Sequence, residues 1–150
     1  MGMAFAVTAT PGHWNCFHNQ ALLTAVPASG FSFGLENRFM VPALSSKAVS
    51  AVFALKPAPL GLVATHYGNG DYYRLYTGLG SAVKITDAFA LGVQVDYISE
   101  HGAGEYRDVS HVTFETGVTC LISPALTFGI HMFNPLAPLN TLPSSIEAGL

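Results

Sequence analysis

The strongest constraint in this sequence is a strict alternation of apolar with small or polar residues through its second half. Phe89, Leu91, Val93, Val95 and Tyr97 alternate with Ala90, Gly92, Gln94 and Asp96. Val112, Phe114, Thr116, Val118, Cys120 and Ile122 alternate with His111, Thr113, Glu115, Gly117 and Thr119, and Leu126, Phe128, Ile130 and Met132 alternate with Thr127, Gly129 and His131. Successive side chains of a strand point to opposite faces, so this period gives each segment one greasy face and one small or polar face. Earlier segments obey the rule less strictly. Phe31, Phe33 and Leu35 oppose Ser32, Gly34 and Glu36, while Val49, Ala51, Phe53 and Leu55 oppose Ala48, Ser50, Val52 and Ala54. Tyr73, Leu75, Leu79 and Val83 oppose Arg74, Tyr76, Gly78, Gly80, Ala82 and Lys84, with Thr77 and Ser81 interrupting the apolar face. Leu60 to Tyr67 has no clean phase. The pattern predicts an all-β chain of about seven strands.

The connections add a second pattern. Lys56-Pro57-Ala58-Pro59, Ile85-Thr86-Asp87 and Ser123-Pro124-Ala125 read as tight. Between them lie Met40 to Ser46, Gly68-Asn69-Gly70-Asp71, Glu100 to Asp108 and Asn134 to Leu142, most of them longer and richer in Gly, Pro or polar residues. An up-and-down meander puts the two sets at opposite ends, which is how outer-membrane barrels arrange short turns and long loops. A soluble meander or sandwich with uneven hairpins would share the pattern. Before Gly30 alternation stops: residues 1–29 read as a lead-in or plug-like segment, and residues 30–150 as antiparallel barrel strands.

Alternation alone does not say which face is inside, because a lipocalin-like barrel buries its apolar face and a membrane barrel turns it to lipid. Charge arbitrates. Charged residues make up 10% of the 150 residues and hydrophobic ones 50%, against about 25% charged in ordinary soluble domains. The non-apolar face holds mostly Gly, Ala, Ser and Thr, which suits a crowded lumen better than a wetted surface. Apolar runs are broken by Lys56, Asp71, Asp87, Asp96 and Glu115, so no helical membrane span is expected, whereas a membrane strand needs only about 9–11 residues. The expectation is therefore an up-and-down antiparallel transmembrane β-barrel. Its lumen-facing polar candidates are Glu36, Arg74, Gln94, Asp96, His111, Glu115 and His131, with structural roles such as a pairing of Arg74 with Asp96 or Glu115. Tyr67, Tyr72, Tyr73, Tyr76, Tyr97 and Tyr106 fall near expected strand ends, as an interfacial aromatic girdle would.

Other chemistries find little support. Net charge is −3 with six Lys and Arg residues, spread singly, so the basic footprint of a nucleic-acid binder is missing. His13, Cys16 and His18 offer nitrogen and sulfur donors, but their spacing fits no standard zinc site and no metal or other cofactor is expected. Gly78-Leu79-Gly80 and Gly102-Ala103-Gly104 are too short for a dinucleotide fingerprint, and neither a GxSxG nor an HExxH motif occurs, so no enzyme is expected. Cys16 and Cys120 could form at most one disulfide.

Met1-Gly2-Met3-Ala4-Phe5-Ala6-Val7 followed by Asn19-Gln20-Ala21-Leu22-Leu23 resembles the opening of outer-membrane barrels of the PorV/PorQ type, relatives of the fatty-acid channel FadL. Glu36-Asn37-Arg38-Phe39, Gly92 to Tyr97, Thr113 to Gly117 and Gly129 to Pro135 are similar to that family's later motifs, in order. Gln20 departs from the usual Pro and Leu22-Leu23 from Gly-Leu, and the family's opening normally follows a cleaved signal peptide, whose basic and continuous apolar regions Met1 to Thr10 are not expected to supply. The resemblance implies a barrel of about fourteen strands, of which this chain is an N-terminal fragment, residing in the outer membrane of its full-length parent. It implies transport of a hydrophobic solute or a part in type IX protein secretion, with outer-membrane lipid and secretion-system subunits as partners. Two other readings remain open at this stage: a soluble lipocalin-like ligand-binding barrel, and a complete small eight-stranded structural or adhesion barrel.

Overall fold

The computed structural model describes residues 8–41, 44–103, 108–136 and 142–150. Eight strands form one sheet: β1 (Gly30–Asn37), β2 (Ser45–Phe53), β3 (Leu60–Gly68), β4 (Tyr72–Lys84), β5 (Phe89–Gly102), β6 (Val109–Ser123), β7 (Leu126–Phe133) and β8 (Ser145–Gly149). Each strand pairs antiparallel with the next in sequence order. The expected all-β up-and-down architecture is therefore present. Among the described residues no ladder joins β8 to β1, so the sheet has two edges.

Hairpin connections hold this order because consecutive antiparallel strands need only short turns. At Asn69–Asp71 the backbone turns tightly: the Asn69 N–H donates to the Tyr72 carbonyl at 2.8 Å, and the Asn69 Oδ1 accepts from the Asp71 N–H at 3.1 Å. Gly68 enters that turn at φ 104°, a conformation that costs a residue with a Cβ. This connection is shorter than the one spanning residues 54–59 at the other rim, so the expected segregation of short turns from long loops fails at that pair. Parts of the longer loops, residues 42–43, 104–107 and 137–141, lie outside the described residues, as do Met1 to Val7 of the family-like opening and Tyr106 of the expected girdle.

Registers convert the sequence alternation into two faces. On one face lie, row by row across the strands, Phe33, Val49, Ala64, Thr77, Tyr97 and Val112, then Phe31, Ala51, Leu62, Leu79, Val95 and Phe114. Further rows add Val93 beside Thr116 and Met132, Leu91 beside Val118 and Ile130, and Phe89 beside Cys120 and Phe128. Many of these side chains are exposed, Phe31 at 78%, Phe33 at 72% and Val112 at 66%. The opposite, inner face carries the row Gly61, Gly80, Gln94 and Glu115 and the row Val63, Gly78, Asp96 and Thr113. The missing phase of β3 has its explanation here: Gly61 and Val63 both face inward and Ala64 outward, so size does not separate the faces.

Residues 8–25 pack on the inner face through a 3₁₀ turn at Asn15–Phe17 and a 3₁₀ helix at Gln20–Ala25 that meets β4, β5 and β6. Cys16, Leu23 and Val26 form an apolar cluster there with Val52, Val63 and Ala82. Glycines make the seat. A Cβ on Gly92 would stand 2.3 Å from the Ala21 nitrogen, one on Gly117 2.1 Å from Asn19 Oδ1, and one on Gly129 2.2 Å from the Thr8 carbonyl oxygen. Gly61 plays the same part beneath Cys16 and Leu23.

Replacing Gly117 by Ala therefore forces the segment off its seat. The expected cost is about 1–3 kcal/mol of unfolding free energy, read as a lowered urea midpoint, whereas Gly70→Ala, where nothing lies within 4 Å, stays within about 0.5 kcal/mol of the parent. Equal midpoints for the two variants would contradict the seat.

Candidate functional site

The inner face carries one connected polar cluster, built from successive strands at neighbouring register levels. Tyr76 comes from β4, Gln94 and Asp96 from β5, Glu115 from β6 and His131 from β7. Gly78 and Gly80 leave room for the side chains of Gln94 and Asp96, which lie over them. The Gln94 amide donates to the Tyr76 hydroxyl oxygen at 2.9 Å and to Asp96 Oδ1 at 2.8 Å. The Tyr76 hydroxyl lies 2.8 Å from Asp96 Oδ1 and 3.1 Å from Glu115 Oε1. It has one hydrogen, so it serves one carboxylate at a time. His131 Nε2 lies 3.0 Å from Glu115 Oε2 and donates to it when the carboxylate is ionised.

The N-terminal segment completes this cluster. Gln20 donates through Nε2 to Glu115 Oε2 and, at 3.2 Å, to the Cys16 carbonyl. Asn19 does more with one amide: Nδ2 donates to the Thr8 carbonyl at 2.8 Å and to the Val118 carbonyl of β6 at 3.1 Å, while Oδ1 accepts from the Ala21 N–H at 3.1 Å. Ser50 of β2 donates to the His13 carbonyl. Asn19, Gln20 and Ser50 are fully buried, where an unmade hydrogen bond costs about 1–3 kcal/mol. The cluster is rich in acceptors: Asp96 Oδ2, Gln94 Oε1 and Gln20 Oε1 meet no donor among the described residues.

Gln94, Asp96, Glu115 and His131 are thus brought together on the inner face, each at most 5% exposed. The other sequence candidates stand apart. Arg74 does not pair with Asp96 or Glu115: its Nε lies 3.3 Å from Glu100 Oε1, because Glu100 is its direct cross-strand partner while Asp96 lies two register steps away. Glu36, near the end of β1, is bonded to Arg38 at 3.0 Å, and both are exposed. His111 shares an inner-face row with Tyr76 and Ile98, but among the described residues no hydrogen bond or ion pair links it to the cluster. Tyr76 is no girdle residue, since it sits mid-strand under the N-terminal segment. The reasoning from sequence missed Tyr76, Asn19, Gln20 and Asn134 as structural polar groups. Asn134, buried at φ 48°, accepts from the Thr113 hydroxyl at 2.8 Å and donates to the Leu142 carbonyl at 2.8 Å, tying the β7–β8 loop back to β6. The signal available for Asn19 and Gln20 was their place within the family-like opening, with Gln20 where a Pro is usual. Pro lacks the amide that grips Glu115.

Above the cluster, Phe17, Thr65, Tyr67, Arg74, Tyr76 and Glu115 line a pocket of about 380 Å³. Phe17 belongs to the N-terminal segment and the other lining residues to β3, β4 and β6. Among the described residues no group of three or more His, Cys, Asp or Glu side chains is placed to hold a metal ion. His13 packs under Gly30 and Cys16 under Gly61, on opposite sides of β2. Chemically the arrangement is a clamp: carboxylates and amides of the sheet hold the amides of the segment that covers them.

Burial pushes the Cys16 thiol up to about 12, with Glu115 and Asp96 adding to the effect, and burial holds His18 below its ordinary value. In a Cys120→Ser variant, Cys16 is therefore expected to react with a disulfide reagent at pH 8 at least about a thousandfold more slowly folded than unfolded. Rapid labelling of the folded protein would show that the segment does not stay seated. Comparison with protein-family models, with curated proteins and with solved structures returns no match for this chain.

Proposed function

We propose that this chain forms part of the wall and the lumen-side plug of an outer-membrane β-barrel of the PorV/PorQ type, related to FadL. The observation that carries this reading is the distribution of side chains between the two faces. The outer face presents five consecutive apolar register rows, from the Phe33 row to the Phe89 row. At two residues per row they run about 27 Å along the strands. With the usual tilt of about 40° they cover about 20 Å of height, near the apolar band of about 25 Å that barrels show to lipid. The polar groups lie on the other face, most of them buried under residues 8–25. A lipocalin-like soluble barrel needs the opposite arrangement, with charge outside and the apolar residues within.

Within this class the family resemblance supports passage of a hydrophobic solute or a role in type IX secretion. Either use depends on the inner face, where the N-terminal segment covers β4 to β6 and leaves the pocket beside Arg74 and Glu115. Lipid does not tolerate open sheet edges, so further strands cover β1 and β8 in the working barrel. The residues proposed to face the lumen are Gln94, Asp96, Glu115 and His131 in the clamp, with Glu36, Arg74 and His111 nearer the rim.

Val95→Arg on the outer face tests the proposal. In bilayer vesicles the substitution is expected to destabilise the folded protein by about 2–4 kcal/mol, whereas a soluble protein would accept Arg at this half-exposed position within about 0.5 kcal/mol. The parent should float with vesicles on a density gradient and resist alkaline extraction. A compact species that stays in plain buffer and ignores vesicles would contradict the reading.

A further inference from the structure

The outer face changes character at one register level. The last apolar row is Phe33, Val49, Ala64, Thr77, Tyr97 and Val112; the next one toward the Arg38–Leu44 connection is Leu35, Lys47, His66, Leu75, Ser99 and Ser110. One step further, Tyr73 stands beside His101. Three rings stack there. His66 lies on Tyr73 with ring centroids 5.6 Å apart and planes 16° apart, and Tyr73 lies on His101 at 5.0 Å and 25°. Lys47 is directly opposite His66 in the β2–β3 ladder, is exposed, and has no ion pair among the described residues. Of the acidic groups nearby, Asp108 is engaged by His101 at 2.6 Å, and Glu100 faces inward to Arg74.

We propose that Lys47, His66 and Tyr73 form a site for the phosphate of an anionic lipid headgroup. This rests on the membrane-barrel reading above. A row one step beyond the apolar band lies about 7 Å further along the strand. At that depth a Lys stem covers apolar surface while its ammonium reaches the phosphates. His66 brings a ring N–H and Tyr73 a hydroxyl, both donors to a phosphate oxygen. Stacking holds the two rings before any lipid arrives, which reduces the ordering cost of binding. His101, committed to Asp108, backs the stack rather than supplying charge. The opposite rim has no equivalent among the described residues: its last outward row is Phe89, Cys120 and Phe128, and Lys84 falls on the inner face.

The test uses the protein in nanodiscs of phosphatidylcholine, alone or mixed with phosphatidylglycerol, with retained lipid identified by native mass spectrometry. The parent should retain phosphatidylglycerol about fivefold above its share of the bilayer, the worth of one cation at an anionic surface. Lys47→Gln combined with His66→Asn should remove that preference, while Lys56→Gln, in the β2–β3 turn at the other rim, should keep it. Retention in the bulk ratio by the parent, or an unchanged preference in the double variant, would overturn the headgroup site while leaving the barrel reading intact. A protein that never enters the discs would overturn both.

Discussion

A β-strand gives each residue one of two faces, and in this chain most large apolar residues of β4 to β7 take the same one, with Tyr76, Ile98 and Phe133 among the exceptions on the inner face. That assignment governs the rest. It leaves Phe31, Phe33, Val95 and Val112 exposed among the described residues, and it sends Gln94, Asp96, Glu115 and His131 to the side where the chain buries them. A one-residue slip of any ladder would exchange the two sets. Such a slip would strand carboxylates on the greasy face, so the register is strongly fixed even though no ladder joins β8 to β1 among the described residues.

Burying carboxylates is costly unless they are hydrogen-bonded, and the N-terminal segment supplies part of that satisfaction. Gln20 reaches Glu115 across a sequence separation of 95 residues, and Asn19 reaches the Val118 carbonyl across 99. Contacts of that span carry a large loop-closure cost. They persist here because the glycines at positions 61, 92, 117 and 129 let the segment's backbone and side chains come close to the sheet, adding packing to the hydrogen bonds. Polar clamp and glycine seat are one device: without the glycines Gln20 could not come within reach, and without Gln20 and Tyr76 the Glu115 carboxylate would lose two of its donors. On the proposed reading this device is the plug. On the same reading the apolar rows face lipid, and the row that carries Lys47 and His66 lies just beyond them.

Much of the fold is legible in the sequence because period-two alternation is a local signal. Phe89 to Tyr97 and Val112 to Ile122 declare both their strand and their faces. β3 hides because its inner positions hold Gly61 and Val63 and its outer ones Ala64 and His66, so hydropathy does not track orientation. The short β8 is marked only by Ile146, too little for a period to show. The polar cluster is legible only in part. Alternation assigns Gln94, Asp96, Glu115 and His131 to a common face, yet it carries no register between strands, so it cannot tell that Arg74 meets Glu100 rather than Asp96. Tyr76 is misread because its ring looks like a girdle residue from sequence alone, while its hydroxyl is the bridge between two carboxylates. Asn19 and Gln20 lie in a segment without periodicity, where their partners, far away in sequence, leave no local trace.

The central claim is that the greasy face of this sheet meets lipid and the small, polar face meets the lumen. The most direct test places single spin labels at positions 91, 93, 95 and 97 of β5 in the bilayer-reconstituted protein, with position 70 in the β3–β4 turn, where nothing lies within 4 Å, as the aqueous reference, and compares collision with oxygen and with a water-soluble nickel chelate. The account predicts that labels at the odd positions collide with oxygen, which concentrates in lipid, and are shielded from the chelate, while the label at position 70 collides with the chelate. Odd-position labels that collide freely with the aqueous chelate would contradict it, because the apolar rows would then face water.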